Sequence, residues 1–301
     1  MAKVVAVFGA TGMQGGSVAR ALLKNSNYKV RAMTRNPDSS KARKLNKSGA
    51  EVVKADLDDK SSIDAALTGC YGVFGVTNYW EYLDKSREIQ QGRNLADAAK
   101  NAGVKHVVFS GLENVKLLFG KSCQHFDGKW EIEEYMAEIG LPYTSVRYSE
   151  YMENILGDLK PIKGPDGVYY LDIPVGDHPI HSISAGEAGV AIVSVFDNPS
   201  DYIGKKIGLS GDLSTLTETA EVLTRHLSPL QFKPGNMTSE QFASLDFPGA
   251  ADLAVMFEFY QSGKMVRDIE LTRKLDPNTK TWEQWVVANR DQLMATFKRI
   301  K

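Results

Sequence analysis

Val4-Val5-Ala6-Val7-Phe8-Gly9-Ala10-Thr11-Gly12-Met13-Gln14-Gly15-Gly16 is the stretch whose reading decides the fold. Val4 to Phe8 is a continuous apolar run rich in β-branched residues, the pattern of a strand buried on both faces in a parallel sheet. Gly9, Gly12 and Gly15 follow at three-residue spacing, and a helical pattern comes after them. The first glycine permits a sharp turn, the second lets backbone approach a pyrophosphate, and the third lets the helix pack close to the strand. The helix start offers unpaired N–H groups and the positive end of its dipole to a phosphate. Such a loop alone also reads as an ordinary strand–turn–helix corner. A strand before it, a helix after it and a second strand on schedule favour a dinucleotide-phosphate cradle.

Outward from that loop, helices are expected over residues 14–24, 41–47, 61–67, 84–102 and 126–140. Gly103 stands in the C′ position of the fourth helix, and Leu141-Pro142 stops the fifth. Strands are expected over 28–34, 50–54, 71–76, 105–110 and 143–148. This βα alternation predicts an α/β fold, a Rossmann-like doubly wound parallel sheet over residues 1–154. After Tyr151-Met152-Glu153-Asn154 the rhythm changes. A turn cluster at 163–167, helices over 184–196, 215–227, 239–244, most of 249–262 and 281–297, and a returning strand at 206–209 predict a smaller mixed, mainly helical part over 155–301. Some of its segments are expected to return to the first sheet, and a cleft between the two parts is the expected ligand site.

Bulk properties narrow the function. The chain has 301 residues, is 43% hydrophobic, and carries a net charge of −1 with both signs interspersed. No basic field for nucleic acid or for a membrane surface is present. Met1-Ala2-Lys3 runs directly into the first strand, so no signal peptide is expected. Cys70 and Cys123 read as two reduced thiols of a cytoplasmic protein. A zinc site at His178 and His181 would need more ligands than its neighbourhood offers, and no metal is expected.

Cofactor choice is read at the end of the second strand. An acidic residue there would bind the adenosine ribose hydroxyls, the NAD pattern. This chain has Arg35-Asn36-Pro37. A guanidinium can pair with a 2′-phosphate, which favours NADP(H) over the alternative of a solvated loop arginine. Lys41 and Arg43 lie close behind. Asp56, after the third strand, suits either an adenine contact or a helix cap, with Asp58 or Asp59 better placed for the cap. Thr77-Asn78-Tyr79-Trp80 follows the fourth strand, where open α/β sheets bind ligands.

Gly-Ala-Thr-Gly-Met-Gln-Gly-Gly, Thr-Arg-Asn-Pro, Thr-Asn-Tyr-Trp, Ser-Gly-Leu-Glu-Asn and His-Phe-Asp-Gly-Lys, in that order, resemble the NmrA-like family, an atypical branch of the short-chain dehydrogenase/reductases. The resemblance covers nearly the whole chain, and includes the stretches near residues 250 and 270. It implies that Gly9, Ala10, Thr11, Gly12, Met13 and Gln14 hold the pyrophosphate, and that Arg35, Asn36 and Pro37 face the 2′-phosphate. It places Asp56 and Leu57 beside adenine, and Thr77, Asn78 and Tyr79 along the ribose and nicotinamide. Lys129 would reach the nicotinamide ribose, and Tyr151, Met152, Glu153 and Asn154 would close the nicotinamide end. The chain departs from its relatives at Asp38-Ser39-Ser40, where more positive charge can stand, and at Gln90, where a relative has lysine.

Ordinary members of the wider superfamily place a tyrosine four residues before the lysine, as proton donor. Here His125 stands at that position before Lys129, and Tyr135 and Tyr143 lie on its other side. Standard dehydrogenase catalysis is therefore not expected. The resemblance implies an NADP(H)-binding redox sensor, with regulatory protein partners, a homodimer set by cofactor state, and a location extending from cytoplasm to nucleus. The alternative is an NADPH-dependent reductase of a quinone or small carbonyl that uses Lys129.

Overall fold

The computed structural model describes residues 2–157 and 159–298. The first half alternates as anticipated: β1 (Lys3–Val7), α1 (Met13–Leu23), β2 (Tyr28–Thr34), α2 (Ser40–Lys47), β3 (Glu51–Lys54), α3 (Lys60–Leu67), β4 (Gly72–Gly75), a 3₁₀ turn (Tyr79–Glu81), α4 (Lys85–Asn101), β5 (His106–Ser110), α5 (Val115–Phe119), α6 (Gln124–Glu138) and β6 (Tyr143–Arg147). Side-chain caps set several starts. Ser39 accepts from the Ala42 N–H, Asp59 from Ser62, Asp84 from Arg87 and Asn114 from Leu117. Ser39 therefore has a structural task. Gly103 ends α4 at φ +66, a conformation that favours glycine.

The second half contains β7 (Glu150–Tyr151), a 3₁₀ turn (Met152–Leu156), β8 (Ile162–Lys163), β9 (Tyr169–Leu171), β10 (Ile180–Ile183), α7 (Gly189–Asp197), α8 (Pro199–Tyr202), β11 (Lys206–Gly208), β12 (Asp212–Ser214), α9 (Leu216–His226), β13 (Phe232–Pro234), α10 (Ser239–Ala243), α11 (Ala250–Gln261), α12 (Ile269–Leu275), α13 (Trp282–Ala288) and α14 (Arg290–Lys298). Two expectations are corrected. The helix expected from 184 begins at Gly189, because residues 184–186 form a turn bound to the Glu153 carboxylate. The helix expected over 281–297 is two helices, α13 ending at Ala288 and capped by Asn289, whose side chain bonds back to the Trp285 carbonyl. The short helices α5 and α12 were not anticipated.

The main sheet has the order β11-β6-β5-β4-β1-β2-β3, with every pair parallel. Two three-stranded sheets, β12-β10-β7 and β13-β9-β8, complete the second half. β11 and α7 return to the first half: β11 pairs with β6, and α7 packs on α1. That helix crossing is close. A Cβ on Gly189 would lie 2.3 Å from the Ser17 carbonyl oxygen, and the Gly189 N–H bonds the Ser17 hydroxyl at 2.8 Å.

One apolar core lies between the sheet and α1 and α7, and a second on the other face under α3, α4 and α6. A third, rich in aromatic residues, fills the second half. The order of strands reverses between β1 and β4. In open α/β sheets the crevice for a ligand lies at that reversal, beyond the carboxyl ends of the strands.

Candidate dinucleotide and substrate site

Every candidate loop leaves the carboxyl end of a parallel strand, so all of them meet along one edge of the sheet. Gly9 turns the chain after β1 at φ +63. A Cβ on Gly15 would lie 2.4 Å from the carbonyl oxygens of Gly9 and Phe8, so only glycine lets α1 sit this close to β1. Gly12 is the N-cap of α1 and gives it no side-chain cap, which leaves the first-turn N–H groups for an anion. Gly9, Gly12 and Met13 are exposed, Thr11 and Gln14 are half-buried, and Ala10 is buried beneath them.

Gln14 reaches across the crevice: its amide donates to the Tyr151 hydroxyl. Its buried Oε1 has no partner among the described residues. Burial pushes the Tyr151 phenol up to about 12, so it keeps its proton. Of the four residues expected to close this end, Tyr151 is the one that touches the glycine loop. Glu153 is bound to Ser184 Oγ and the N–H groups of Ala185 and Gly186. Met152 is buried in the aromatic core. Asn154 donates to Glu150 at 2.5 Å, and burial raises that carboxyl to about 7.

After β2, Arg35 is exposed and pairs with Glu81, at the end of the 3₁₀ turn, with the Tyr82 hydroxyl at 3.4 Å. Asn36 Oδ1 accepts from the Asp38 N–H, which shapes the loop through Pro37. Asp56 Oδ1 likewise accepts from the Asp58 N–H. The cap of α3 is Asp59. Leu57 packs on the second core, its carbonyl held by Asn94 at 2.8 Å. Gln90 is exposed and bonds Asn94.

After β4, Thr77 is buried and Asn78 exposed, and Tyr79 is buried beneath exposed Trp80. Lys129 Nζ, from α6, donates to the Thr77 carbonyl and hydroxyl oxygens at 2.9 Å each and to Glu88 Oε1 at 2.8 Å. Glu88 is almost wholly buried, and its Oε2 has no partner among the described residues. Sequence reasoning missed Glu88, since nothing in a polar helix marks one glutamate as buried. One turn before Lys129 stands His125. Its Nδ1 bonds the Asp252 carboxylate, and its ring packs on Trp80 at 4.7 Å and Phe126 at 4.8 Å between centroids. Asp252 was missed as well. Among the described residues, Cys123, His125 and Asp252 form the one group of three metal-type donors that converge, and His178 and His181 are not in it.

Residues 1–287 match the model of the NmrA-like family. The chain belongs to the NmrA-like family. An NmrA-like family domain-containing oxidoreductase, FrzB of Cladobotryum sp., is 34% identical over 87% of this chain and 85% of its own. Another, malD of Malbranchea aurantiaca, is 35% identical over 73% of this chain and 71% of its own. Among solved structures, an NADPH-dependent quinone oxidoreductase of Escherichia coli complexed with NADPH is 28% identical, covers 95% of this chain and 98% of its own, and has a TM-score of 0.78. NmrA, a negative transcriptional regulator, in complex with NADP, shares the fold at 22% identity and a TM-score of 0.78, over 95% of this chain and 94% of its own. NmrA-like proteins thus pair a fold that binds NAD(P) with relatives named as oxidoreductases. No helix among the described residues is long and apolar enough to cross a membrane.

Proposed function

We propose that this protein binds NADP(H) at the glycine loop and uses it to reduce a quinone or small carbonyl compound. The observation that carries the reading is Lys129, whose ammonium is fixed by Thr77 and Glu88 at the carboxyl end of β4, next to β1 and its cradle. The fit to a dinucleotide rests on the uncapped start of α1 and the close approach at Gly15. Gly9 to Gln14 would hold the pyrophosphate, Arg35 to Pro37 the 2′-phosphate, and Asp56 and Leu57 would border adenine. Thr77 to Tyr79 and Lys129 would line the ribose and nicotinamide. Tyr151 would close the far side, with Met152, Glu153 and Asn154 supporting it from behind. The reduced dinucleotide supplies hydride when bound. The names of the oxidoreductase relatives and of the quinone oxidoreductase support the class of reaction.

A second reading, an NADP(H) sensor with protein partners or a homodimer that follows cofactor state, is favoured by the pairing of Arg35 with Glu81. The turn carrying Glu81 also carries Tyr79 and Trp80, which pack on His125. A ligand that takes Arg35 therefore has a mechanical connection to the substrate end.

Arg35 provides the first test. Its pair with Glu81 is exposed, and such pairs contribute about 0–1 kcal/mol. A charge-assisted contact to a dianionic 2′-phosphate is worth about 1.5–3 kcal/mol, so the phosphate should displace Glu81. Arg35→Ala is expected to weaken NADPH binding by roughly 10- to 150-fold and to leave NADH binding unchanged. Equal affinity of the wild type for both dinucleotides in a calorimetric titration would reject NADP(H) preference.

A further inference from the structure

We propose that His125 and Asp252 form a proton-transfer dyad, with His125 Nε2 as the acid that protonates the substrate oxygen and Asp252 as the residue that holds and polarises the ring. The inference rests on the reductase reading and deepens it.

The two histidines near this sheet illustrate the difference between a packed ring and a poised one. His106 is fully buried: Nε2 meets Thr144 Oγ1 at 2.8 Å, Nδ1 is sealed without a partner, and burial lowers its pKa to about 4. It is a core residue. His125 is buried too, its side chain 6% exposed, but its bonding is the opposite. Its Nδ1 side is engaged by Asp252, with Cys123 Sγ at 3.5 Å. Its Nε2 has no partner among the described residues and is not among the sealed atoms. A histidine bonded to a carboxylate through one nitrogen presents the other in a defined tautomer and orientation.

Asp252 is held for this task. It lies in the first turn of α11, where the helix dipole favours a carboxylate, and Gly249 starts that helix at φ +93 with Trp80 against it. Burial alone would raise the Asp252 carboxyl. The His125 bond and the N–H groups of Gln124 and His125 outweigh burial and hold it below the usual carboxylate range. It therefore remains an anion beside the ring. Cys123 beside it is fully buried, and burial raises its thiol well above the ordinary value, so the thiol keeps its proton. His125 and Lys129 are one turn apart on α6, hence on one face, and both meet the segment after β4.

The step balances without another reactant. With a small carbonyl compound, the carbonyl carbon would take the hydride that a bound reduced dinucleotide supplies, the C=O π bond would open, and the oxygen would take the proton from His125 Nε2. The N–H bond breaks, neutral imidazole remains bonded to Asp252, and solvent returns a proton to it.

The experiment uses the full chain. First, the cofactor-free protein is treated with diethyl pyrocarbonate and its histidines are followed by mass spectrometry. His125 should react well ahead of His106, and added NADPH should protect it. Reaction as slow as that of His106 would overturn the proposal. Second, NADPH oxidation with a quinone and aldehyde panel is measured for wild type, His125→Ala and Asp252→Asn. His125→Ala should lose about 10²–10⁴-fold in kcat, the usual contribution of a general acid, with the NADPH dissociation constant within twofold. Added imidazole should restore part of that rate. Asp252→Asn should lose kcat less severely, keep NADPH affinity, and gain nothing from imidazole. Turnover that survives His125→Ala would overturn the dyad and leave the reductase reading standing, whereas a wild type that binds NADPH but reduces nothing would overturn both.

Discussion

Arg267→Met should destabilise the protein by about 3–5 kcal/mol at neutral pH, the expected loss when one partner of a buried ion pair is removed. Arg267 has no exposed side-chain surface. It pairs with Glu113 and also donates to the Tyr148 carbonyl from Nη2 at 2.8 Å and from Nε at 3.1 Å. Glu113 follows β5, and Arg267 precedes α12, so the pair ties the second half to the sheet. The chain of charges continues through Arg147 to Glu133 at 2.8 Å and on to Lys206 at 3.3 Å. The methionine variant leaves Glu113 buried, with Arg147 3.9 Å away as its remaining cation.

The pH dependence has a definite sign. Burial raises the Glu113 carboxyl, and Arg267 and Arg147 outweigh it, so its folded value lies below the ordinary one. Its contribution is present above the unfolded glutamate value of about 4.3 and is lost as pH falls through the folded value. Without Arg267 the carboxyl is protonated more readily, so the difference between wild type and variant should narrow toward acid. Urea unfolding at pH 7 and pH 5 measures this. A difference below about 1 kcal/mol at pH 7, the range of a surface pair, would mean the ion pair is not sealed. Glu113→Gln combined with Arg267→Met should recover much of the loss.

Lys129→Met should weaken NADPH binding by at least about 10-fold, from the loss of a charged hydrogen-bond donor worth about 1.5–3 kcal/mol. It also leaves the Glu88 carboxylate buried without its cation, beside the position proposed for the ribose. Stability and binding therefore fall together in the single variant. Lys129→Met with Glu88→Gln separates them. Removing the orphaned charge should return the melting temperature toward wild type, while NADPH affinity stays low. Recovery of both in the double variant would mean that Lys129 serves only to neutralise Glu88.

The glycine turn and the strand alternation were readable because each signal is local. A strand, a glycine spacing and a helix start lie within thirteen consecutive residues. The same holds for caps such as Thr281, which begins α13 with a capping box. What was not readable depends on distant partners. Glu88 acquires meaning from Lys129, 41 residues away, and Asp252 from His125, 127 residues away. The start of α7 was misplaced for a similar reason. Residues 184–188 carry a helical pattern, but Glu153 binds the chain there in a turn. His125 was visible as an odd residue before Lys129, and it was read as a poor substitute for a phenol. Its bond to Asp252 comes from the second half of the chain, which no spacing rule reveals.

The central claim is NADPH-dependent reduction at the crevice between β1 and β4. The most direct test measures NADPH consumption by wild type against a panel of quinones and aldehydes, beside a binding titration with NADPH. The claim predicts saturable binding and turnover at or above about 1 s⁻¹ with at least one substrate, the low end of ordinary enzyme rates. Saturable binding with no substrate consumed would contradict it and leave the sensor reading.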